Sequence, residues 1–224
     1  VARSWYAGVT ARHPSRGETL PDYTDYDTEA RYSWLKAPRY AGRPMEVGPL
    51  ARVLVAYGRG HAEIVPQVKQ FLNDTELTLS DLHSTLGRIA ARALETKVIA
   101  DAMDGWLNGL KSGDATVVTS QMPEKASGYG LNEAPRGALG HWINISNQKI
   151  GNYQMVVPST WNLGPRCAAG KRGPVEEALI GTPVSDPEQP VEILRIVHSF
   201  DPCIACAVHV IDTKQDKRCV VRVA

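Results

Sequence analysis

Residues 201–209 carry the side chains of this chain whose spacing is best suited to chemistry. Cys203 and Cys206 lie three residues apart, and His209 follows three residues later. Side chains at this spacing fall on the same side of a helix or tight turn, so two thiols and one imidazole are delivered to a small volume. Thiolates and imidazoles are the ligands that soft and borderline metals prefer. The segment therefore predicts a metal site close to the C-terminal end of the chain.

Spacing alone leaves two other interpretations of these residues open. A lone Cys-x-x-Cys pair is also typical of a redox dithiol. A zinc site would need a fourth ligand from Cys167 or Cys219, and the second Cys-x-x-Cys pair that usually completes a structural zinc site is missing from the sequence. Four cysteines in 224 residues are too few for a disulfide scaffold. A metal or redox role is therefore the better explanation of the pair.

Composition sets the limits within which this site must be built. With 224 residues, of which 43% are hydrophobic and 22% charged, the chain is expected to bury a core. The net charge of +1 gives no basic field for nucleic acid or an anionic membrane. No run approaches the roughly 18–20 apolar residues that span a bilayer. Because the first residue is Val1 rather than methionine, we expect the chain to be the C-terminal part of a longer protein.

Residues 80–111 have the strongest helical periodicity. Their apolar side chains recur at three- and four-residue steps, whereas Arg88, Arg92 and Glu95 fall on the complementary face. This pattern predicts one long amphipathic helix. Ser80 is a favourable N-cap residue and Gly113 a favourable terminator, so the helix is expected to extend between them.

Shorter elements are predicted on either side of this helix. Apolar runs and proline positions predict short helices at residues 50–57, 62–72, 174–179 and 190–198. Alternating patterns predict strands at residues 137–145 and 149–157, a turn at 146–148, and two strands around a charged turn within 210–224. Turn-forming residues predict loops at 1–45 and 161–174. The predicted fold class is α+β and mainly helical, with short β elements around a C-terminal metal site.

Three further segments precede the cysteine motif and help to interpret it. Residues 32–40 (YSWLKAPRY), 133–137 (EAPRG) and 157–162 (VPSTWN) precede residues 201–209 in that order. Together they resemble the motifs of nickel–iron hydrogenase large subunits, most closely the membrane-bound uptake type, and the resemblance covers essentially the whole chain. It implies that residues 1–209 are the C-terminal portion of such a subunit. Residues 210–224 would then be an extension that is cleaved on maturation.

The resemblance also implies the metal ligands. In this family four cysteines from two Cys-x-x-Cys motifs hold a nickel–iron centre, whose iron carries cyanide and carbonyl ligands. Cys203 matches the terminal nickel ligand, and Cys206 matches the thiolate that bridges nickel and iron. His209 matches a ligand of a magnesium ion, to which the main-chain carbonyl at or near Met155 is a further expected ligand.

Other motif residues are expected to surround the centre. Arg136 matches a residue above the open metal position, where its permanent charge and planar donors would polarise hydrogen or help to accept a proton. Ser159 is expected to donate a hydrogen bond to a cyanide ligand, because a buried acceptor without a partner is costly. The remaining residues expected to line the cofactor pocket are Ala134, Pro135, Val157 and Pro158.

The function implied by the resemblance is oxidation of H2 to protons and electrons. Since the family's other Cys-x-x-Cys motif is absent from this sequence, the fragment alone is expected to be inactive. Electrons would leave through an iron–sulfur small subunit, because no iron–sulfur motif occurs here. Further implied partners are a membrane cytochrome b, a maturation endopeptidase and nickel-insertion factors. Nucleic acid is not an expected partner. The implied location is peripheral, on the periplasmic side of the cell membrane.

Two hypotheses from other classes compete with this enzyme. One is a metal-free scaffold subunit related to the hydrogenases, and the retention of Cys203, Cys206 and His209 argues against it. The other is a zinc or redox Cys-x-x-Cys module, which leaves Arg136 and residues 157–162 unexplained.

Overall fold

The computed structural model describes residues 2–8, 10–203, 207–212 and 217–222, the last two segments by their backbone. Within these residues the chain forms six α-helices, namely α1 (Pro49–Gly58), α2 (Ile64–Thr75), α3 (Thr85–Asn108), α4 (Pro158–Asn162), α5 (Pro174–Leu179) and α6 (Val191–Ser199). The strands are β1 (Lys125–Ala134), β2 (Gly137–Ser146), β3 (Lys149–Val156), β4 (Ala207–Asp212) and β5 (Lys217–Arg222). The α+β class is as predicted. No helix in the described part of the chain is long and apolar enough to cross a membrane.

The core lies where α1, α2 and α3 pack together. Its buried members are Leu50, Val53, Ile64, Val68, Leu82 and Ala91. Pro49 stands at the start of α1, where its missing N–H costs nothing because that donor has no partner within the helix. The helices predicted at residues 50–57 and 62–72 are confirmed as α1 and α2, and Pro66 lies in the first turn of α2.

The long helix α3 begins later than predicted, because two capping signals follow each other closely. Ser80 lies inside a short 3-10 turn, Leu79–Leu82, whose N-terminal donors are satisfied by a capping box that includes Asp81. The N-cap of α3 is instead Ser84, whose Oγ accepts a hydrogen bond from the N–H of Gly87 at 3.0 Å. The prediction of Ser80 as the N-cap was therefore wrong.

The C-terminal end of α3 and its exposed side also differ from the sequence pattern. The helix ends at Asn108 with Gly109 as its C-cap, before Gly113 is reached. Its apolar residues are largely exposed in this part of the chain, and Leu86 is 77% and Trp106 61% exposed. The side that makes the tertiary contacts carries three apolar residues of the core and three partly exposed charged residues, namely Ala91, Leu94, Val98, Arg88, Arg92 and Glu95. The long helix is therefore present, but its predicted amphipathic character is not confirmed, because apolar residues lie on both its packed and its exposed sides.

The three-stranded sheet has the order β1-β2-β3, with both neighbouring pairs antiparallel. The predicted strands at 137–145 and 149–157 are confirmed, and Asn147 and Gln148 form their turn with φ of 52° and 58°. Positive φ at both central residues matches the right-handed twist of a tight hairpin. Strand β1 was not predicted, because its glycine-rich residues are mostly exposed and show no apolar alternation.

The C-terminal third follows the predicted elements with one addition. Helices α5 and α6 confirm the helices expected at residues 174–179 and 190–198. Strands β4 and β5 form the predicted pair, although β4 already begins at Ala207, and the charged turn between them lies outside the described residues. Helix α4, a single turn that opens with Pro158, was not predicted as a helix. A prolyl ring at the first helical position favours such a turn.

Candidate metal centre

The β1–β2 turn is tied to the segment that carries Cys203. Arg136 lies in this two-residue turn, and its Nε donates a hydrogen bond to the main-chain carbonyl of Asp201 at 2.8 Å. Its Nη2 lies 3.3 Å from Oδ1 of the same aspartate. The planar guanidinium therefore binds the backbone and the carboxylate of one residue at once. Residues 65 apart in sequence are joined in this way.

The chain reverses its direction at Asp201, just after α6. Asp201 has φ of 50°, in the left-handed region that aspartate tolerates better than most residues. Its N–H donates to the carbonyl of His198 at 2.9 Å, which closes the end of α6. Pro202 follows and prevents the helix from continuing. Cys203 is consequently turned back towards α4.

Helix α4 supplies the contact that positions Cys203. The N–H of Cys203 donates a hydrogen bond to Oγ of Ser159 at 3.1 Å. Ser159 is 6% exposed, and its neighbour Pro158 is also buried. Because the serine oxygen is the acceptor in this bond, its own hydroxyl hydrogen is left to donate elsewhere. Val157 is the N-cap of α4.

Asn162 connects α4 to the loop before α1 through side-chain hydrogen bonds. Sequence reasoning did not assign this role to Asn162. Its side-chain Nδ2 donates to the carbonyl of Val47 and its Oδ1 accepts from the N–H of Val47, each at 2.9 Å. Asn162 is 3% exposed, so both bonds are shielded from water. The adjacent Gly48 has φ of 125° and lies directly under the β1–β2 turn. The turn, the loop and α4 are thus fastened together around Ser159.

The close approach of the β1–β2 turn to Gly48 can be tested at Gly137. A Cβ at Gly137 would lie 2.6 Å from the N atom of Gly48, and its φ is 132°. Gly137→Ala is therefore expected to destabilise the complete large subunit by on the order of 2–3 kcal/mol, from overpacking and backbone strain together. Gly128→Ala in β1 is the matched control, since nothing lies within 4 Å of a Cβ there. Thermal unfolding of both variants measures the difference, and equal stabilities would contradict the predicted contact.

A second residue that sequence reasoning missed is Arg52 on α1. Its guanidinium binds Glu95 and Glu133 and also the main-chain carbonyls of Ala134 and Pro135. The hydrogen bond with Glu95 is the main reason why the pKa of Arg52 lies above its ordinary value. The only signal in the sequence is one arginine within the apolar run that forms α1.

The structure brings together part of the predicted set of site residues. Arg136, Ser159 and Cys203 are linked through Asp201 and by direct hydrogen bonds, and Ala134 and Pro135 lie at the same turn. The other three predicted metal ligands are not joined to this set by a described contact. Met155 lies opposite His141 in the sheet with an exposed side chain, His209 lies opposite Val220 in β4, and Cys206 lies outside the described residues.

The donor chemistry of the described residues suits a thiolate-bound metal group with anionic ligands. Cys203 is exposed and has no disulfide, so its sulfur is available to a metal. The Arg136 guanidinium offers a permanent positive charge, and the Ser159 hydroxyl offers a donor for an anion. Within the described ranges no three His, Cys, Asp or Glu side chains cluster closely enough to hold a metal ion.

Comparison with known proteins identifies the family of the chain. The family model for nickel-dependent hydrogenase matches residues 1–209. The chain is 43% identical to the quinone-reactive Ni/Fe-hydrogenase large chain of Wolinella succinogenes, with 100% of this chain and 43% of that protein covered. It is also 43% identical to the uptake hydrogenase large subunit of Bradyrhizobium diazoefficiens, with 100% of this chain and 42% of that subunit covered.

A solved structure shows the same fold. The Ni-Fe-Se hydrogenase from D. vulgaris Hildenborough in the reduced state superposes with a TM-score of 0.78 at 41% identity, covering 91% of this chain and 43% of that one. The chain thus spans about two fifths of the length of these relatives. Sequence similarity over nearly the whole chain and the shared fold lead to one conclusion: the chain belongs to the nickel-dependent hydrogenase family.

Proposed function

We propose that this chain is the C-terminal portion of the large subunit of an uptake hydrogenase, which oxidises H2 to protons and electrons at a nickel–iron centre. One observation carries the proposal. Arg136, Ser159 and Cys203 come from three separate family-like segments, and they are joined by hydrogen bonds from Arg136 to Asp201 and from Cys203 to Ser159. A scaffold that had lost its metal would have no chemical reason to keep a free thiol among these donors.

The proposed ligands follow the family resemblance. Cys203 and Cys206 would hold the nickel–iron centre through thiolates, which suit both metals. The other Cys-x-x-Cys pair would come from the rest of the large subunit. When bound, the centre supplies the metal chemistry that splits H2 and takes up its electrons, with cyanide and carbonyl on the iron. His209 and the carbonyl of Met155 are proposed as magnesium ligands.

The residues around the centre are proposed to handle the proton and the anionic ligands. The Arg136 guanidinium is always charged and carries no acceptor, so its role is to stabilise developing negative charge. The proton from H2 is better placed on Sγ of Cys203, since a thiolate is a base. The Ser159 hydroxyl, whose oxygen already accepts from the N–H of Cys203 at 3.1 Å, would donate to a cyanide ligand.

The proposed partners and location also rest on the family. An iron–sulfur small subunit would receive the electrons, because this sequence has no iron–sulfur motif of its own. The other proposed partners are a membrane cytochrome b, a maturation endopeptidase and nickel-insertion factors. The proposed location is peripheral, on the periplasmic side of the membrane. The name of the Wolinella relative, a quinone-reactive enzyme, supports an acceptor in the membrane.

Metal analysis of the complete enzyme tests the function. The full-length gene product is co-expressed with its small subunit and maturation proteins, and nickel and iron are then measured together with the infrared spectrum. Nickel near one per subunit, with cyanide and carbonyl stretching bands that vanish in Cys206→Ala, is the expected result. Zinc, or no metal, without such bands would instead support the zinc module or the metal-free scaffold.

The C-terminal extension is proposed to keep the terminus out of its final place until the metals are loaded. Two observations support this: the family match ends at residue 209, and His209 pairs with Val220 in the β4–β5 ladder. A cut after His209 would therefore divide a paired strand. Deleting residues 210–224 from the full gene is expected to leave the subunit with little nickel. Cys219→Ser, which keeps the extension, is the control, and normal nickel loading in the deletion variant would count against the idea.

A further inference from the structure

Two residues outside the family-like motifs hold the turn that carries Arg136. On the basis of the proposed function, in which Arg136 acts at the metal centre, we propose that Arg52 and Glu95 are positioning residues for Arg136. They act through the main chain of the β1–β2 turn rather than by contact with the metals or with H2. The supporting observation is that the Arg52 guanidinium binds the carboxylate of Glu95 in α3 and also the main chain of the β1–β2 turn.

The first half of this arrangement is a bidentate ion pair between α1 and α3. Nε and Nη2 of Arg52 donate to Oε1 and Oε2 of Glu95 at 2.5 and 2.6 Å. The two side chains are 21% and 20% exposed, so water and salt screen the pair less than a surface pair. Two parallel bonds between planar groups also fix their orientation. The Arg52 side chain is therefore held in one position on α1.

The second half links the same guanidinium to the turn. Nη1 of Arg52 donates to the carbonyl of Ala134 at 2.8 Å, and Nη2 donates to the carbonyl of Pro135 at 2.9 Å. Glu133 adds an ion pair at 3.0 Å, although its side chain is 51% exposed and this pair is correspondingly weaker. The two carbonyls belong to the residues immediately before Arg136. Holding them fixes the main chain from which the Arg136 side chain departs.

The turn needs such support because little else holds it on that side. Strand β1 lies at the edge of the sheet and is mostly exposed, so few apolar contacts restrain the approach to Arg136. Gly48 supports the opposite side, where the carbonyl of Arg136 would lie 3.0 Å from a Cβ. Lysine cannot replace Arg52 in this role, since its single nitrogen lacks the planar fork with which a guanidinium binds a carboxylate through two nitrogens and still reaches the two carbonyls.

Helix α3 also holds the other partner of Arg136. One turn before Glu95, Arg92 donates from Nη1 and Nη2 to the carbonyl of Ser199 at 3.3 and 3.4 Å. One turn earlier still, Arg88 lies over the ring of Phe200 with 3.8 Å between its Cζ and the ring centre. Both contacts restrain the segment that leads into Asp201. A single face of α3 thus sets the separation between Arg136 and Asp201.

Kinetics and hydrogen exchange of the complete, metal-loaded enzyme test the proposal. Arg52→Lys is expected to lower kcat by about 10- to 100-fold, as small misplacements of catalytic groups do, with little change in KM. Nickel content and the cyanide and carbonyl bands are expected to persist. Amide exchange in a peptide covering the β1–β2 turn is expected to become faster. Arg166→Lys is the matched control, because its side chain is 26% exposed and its ion-pair partner is Glu29 rather than a residue of the turn.

A double-mutant cycle separates positioning from general stability. If Arg52 acts through Arg136, then Arg52→Lys combined with Arg136→Lys loses no more activity than Arg136→Lys alone. If the activity losses of the two single variants multiply in the double variant, the inference is wrong. It is also wrong if kcat is unchanged in Arg52→Lys while Arg136→Lys is impaired. Either result would leave the proposed function intact. An unimpaired Arg136→Lys would overturn the inference and the role proposed for Arg136, although the H2 oxidation that it shows would still support the proposed function. Should Arg52→Lys fail to load nickel, Glu95→Gln, which keeps the size and removes the charge, takes its place under the same criteria.

Discussion

Cys203→Ser in the complete enzyme is expected to abolish H2 oxidation and to leave the large subunit with little or no nickel. A serine hydroxyl is a hard, protonated oxygen, whereas nickel in this centre calls for a soft thiolate. The N–H of Cys203 is held by Ser159 at 3.1 Å, and a serine at this position can make the same backbone bond. The loss would therefore report the missing sulfur rather than a displaced loop. Elemental analysis and H2-dependent dye reduction measure the two effects.

Cys167→Ser is the matched control for this change. Cys167 is also a free cysteine and is partly exposed, and it lies in a turn closed by a bond from its N–H to the carbonyl of Lys171 at 3.0 Å. Burial raises the pKa of Cys167, but hydrogen bonds from the main chain of Lys171 and Ala169 and from Arg39 bring it below its ordinary value. Nickel content and activity are expected to be unchanged in this variant. Nickel at the wild-type level in Cys203→Ser would exclude Cys203 as a ligand.

Arg136→Lys is expected to lower turnover by about 10²- to 10³-fold, the usual effect of losing one preorganised hydrogen-bond donor at a reaction centre. Nickel content and infrared bands are expected to remain, since Arg136 is not proposed as a ligand. The physical reason is geometric. Arg136 binds the Asp201 carbonyl at 2.8 Å and its carboxylate at 3.3 Å with two different nitrogens. A lysine ammonium keeps the charge but cannot reproduce this planar arrangement.

Arg31→Lys is a closely matched control. Nη1 of Arg31 also binds both the carbonyl and the carboxylate of one aspartate, Asp22, at 2.9 and 2.8 Å. This pair joins two residues of the N-terminal loop, outside the segments proposed to surround the metal centre. Its replacement is expected to leave turnover within about twofold of the wild type, as for a surface substitution. If both variants were equally active, the proposed role of Arg136 would be wrong.

Helix ends, tight turns and short strands were predictable because their signals are local. Prolines predicted the starts of α5 and α6, where Pro174 is the first helical residue and Pro190 is the N-cap. The Asn147–Gln148 turn joined the two strands that alternation had indicated. Where two local signals competed, the prediction failed. Ser80 and Ser84 are both good caps, and only the structure shows that the first belongs to a separate 3-10 turn.

The candidate site was only partly predictable for the same reason. Cys203, Ser159 and Arg136 were found because each lies in a short segment whose residue types suggest chemistry or resemble a family motif. Arg52 and Asn162 were not found, because their partners are distant in sequence. Arg52 binds Glu95 and Ala134 across 43 and 82 residues, and Asn162 binds Val47 across 115.

The sequence by itself thus determined the family and most of the regular elements, since these depend on residue types within a few positions of one another. The tertiary structure alone decided that Arg92 and Glu95 lie on the side of α3 that packs inward with Ala91, and that this side supports both Arg136 and Asp201. Periodicity can indicate a helix, but the neighbour that each side of the helix meets depends on long-range packing.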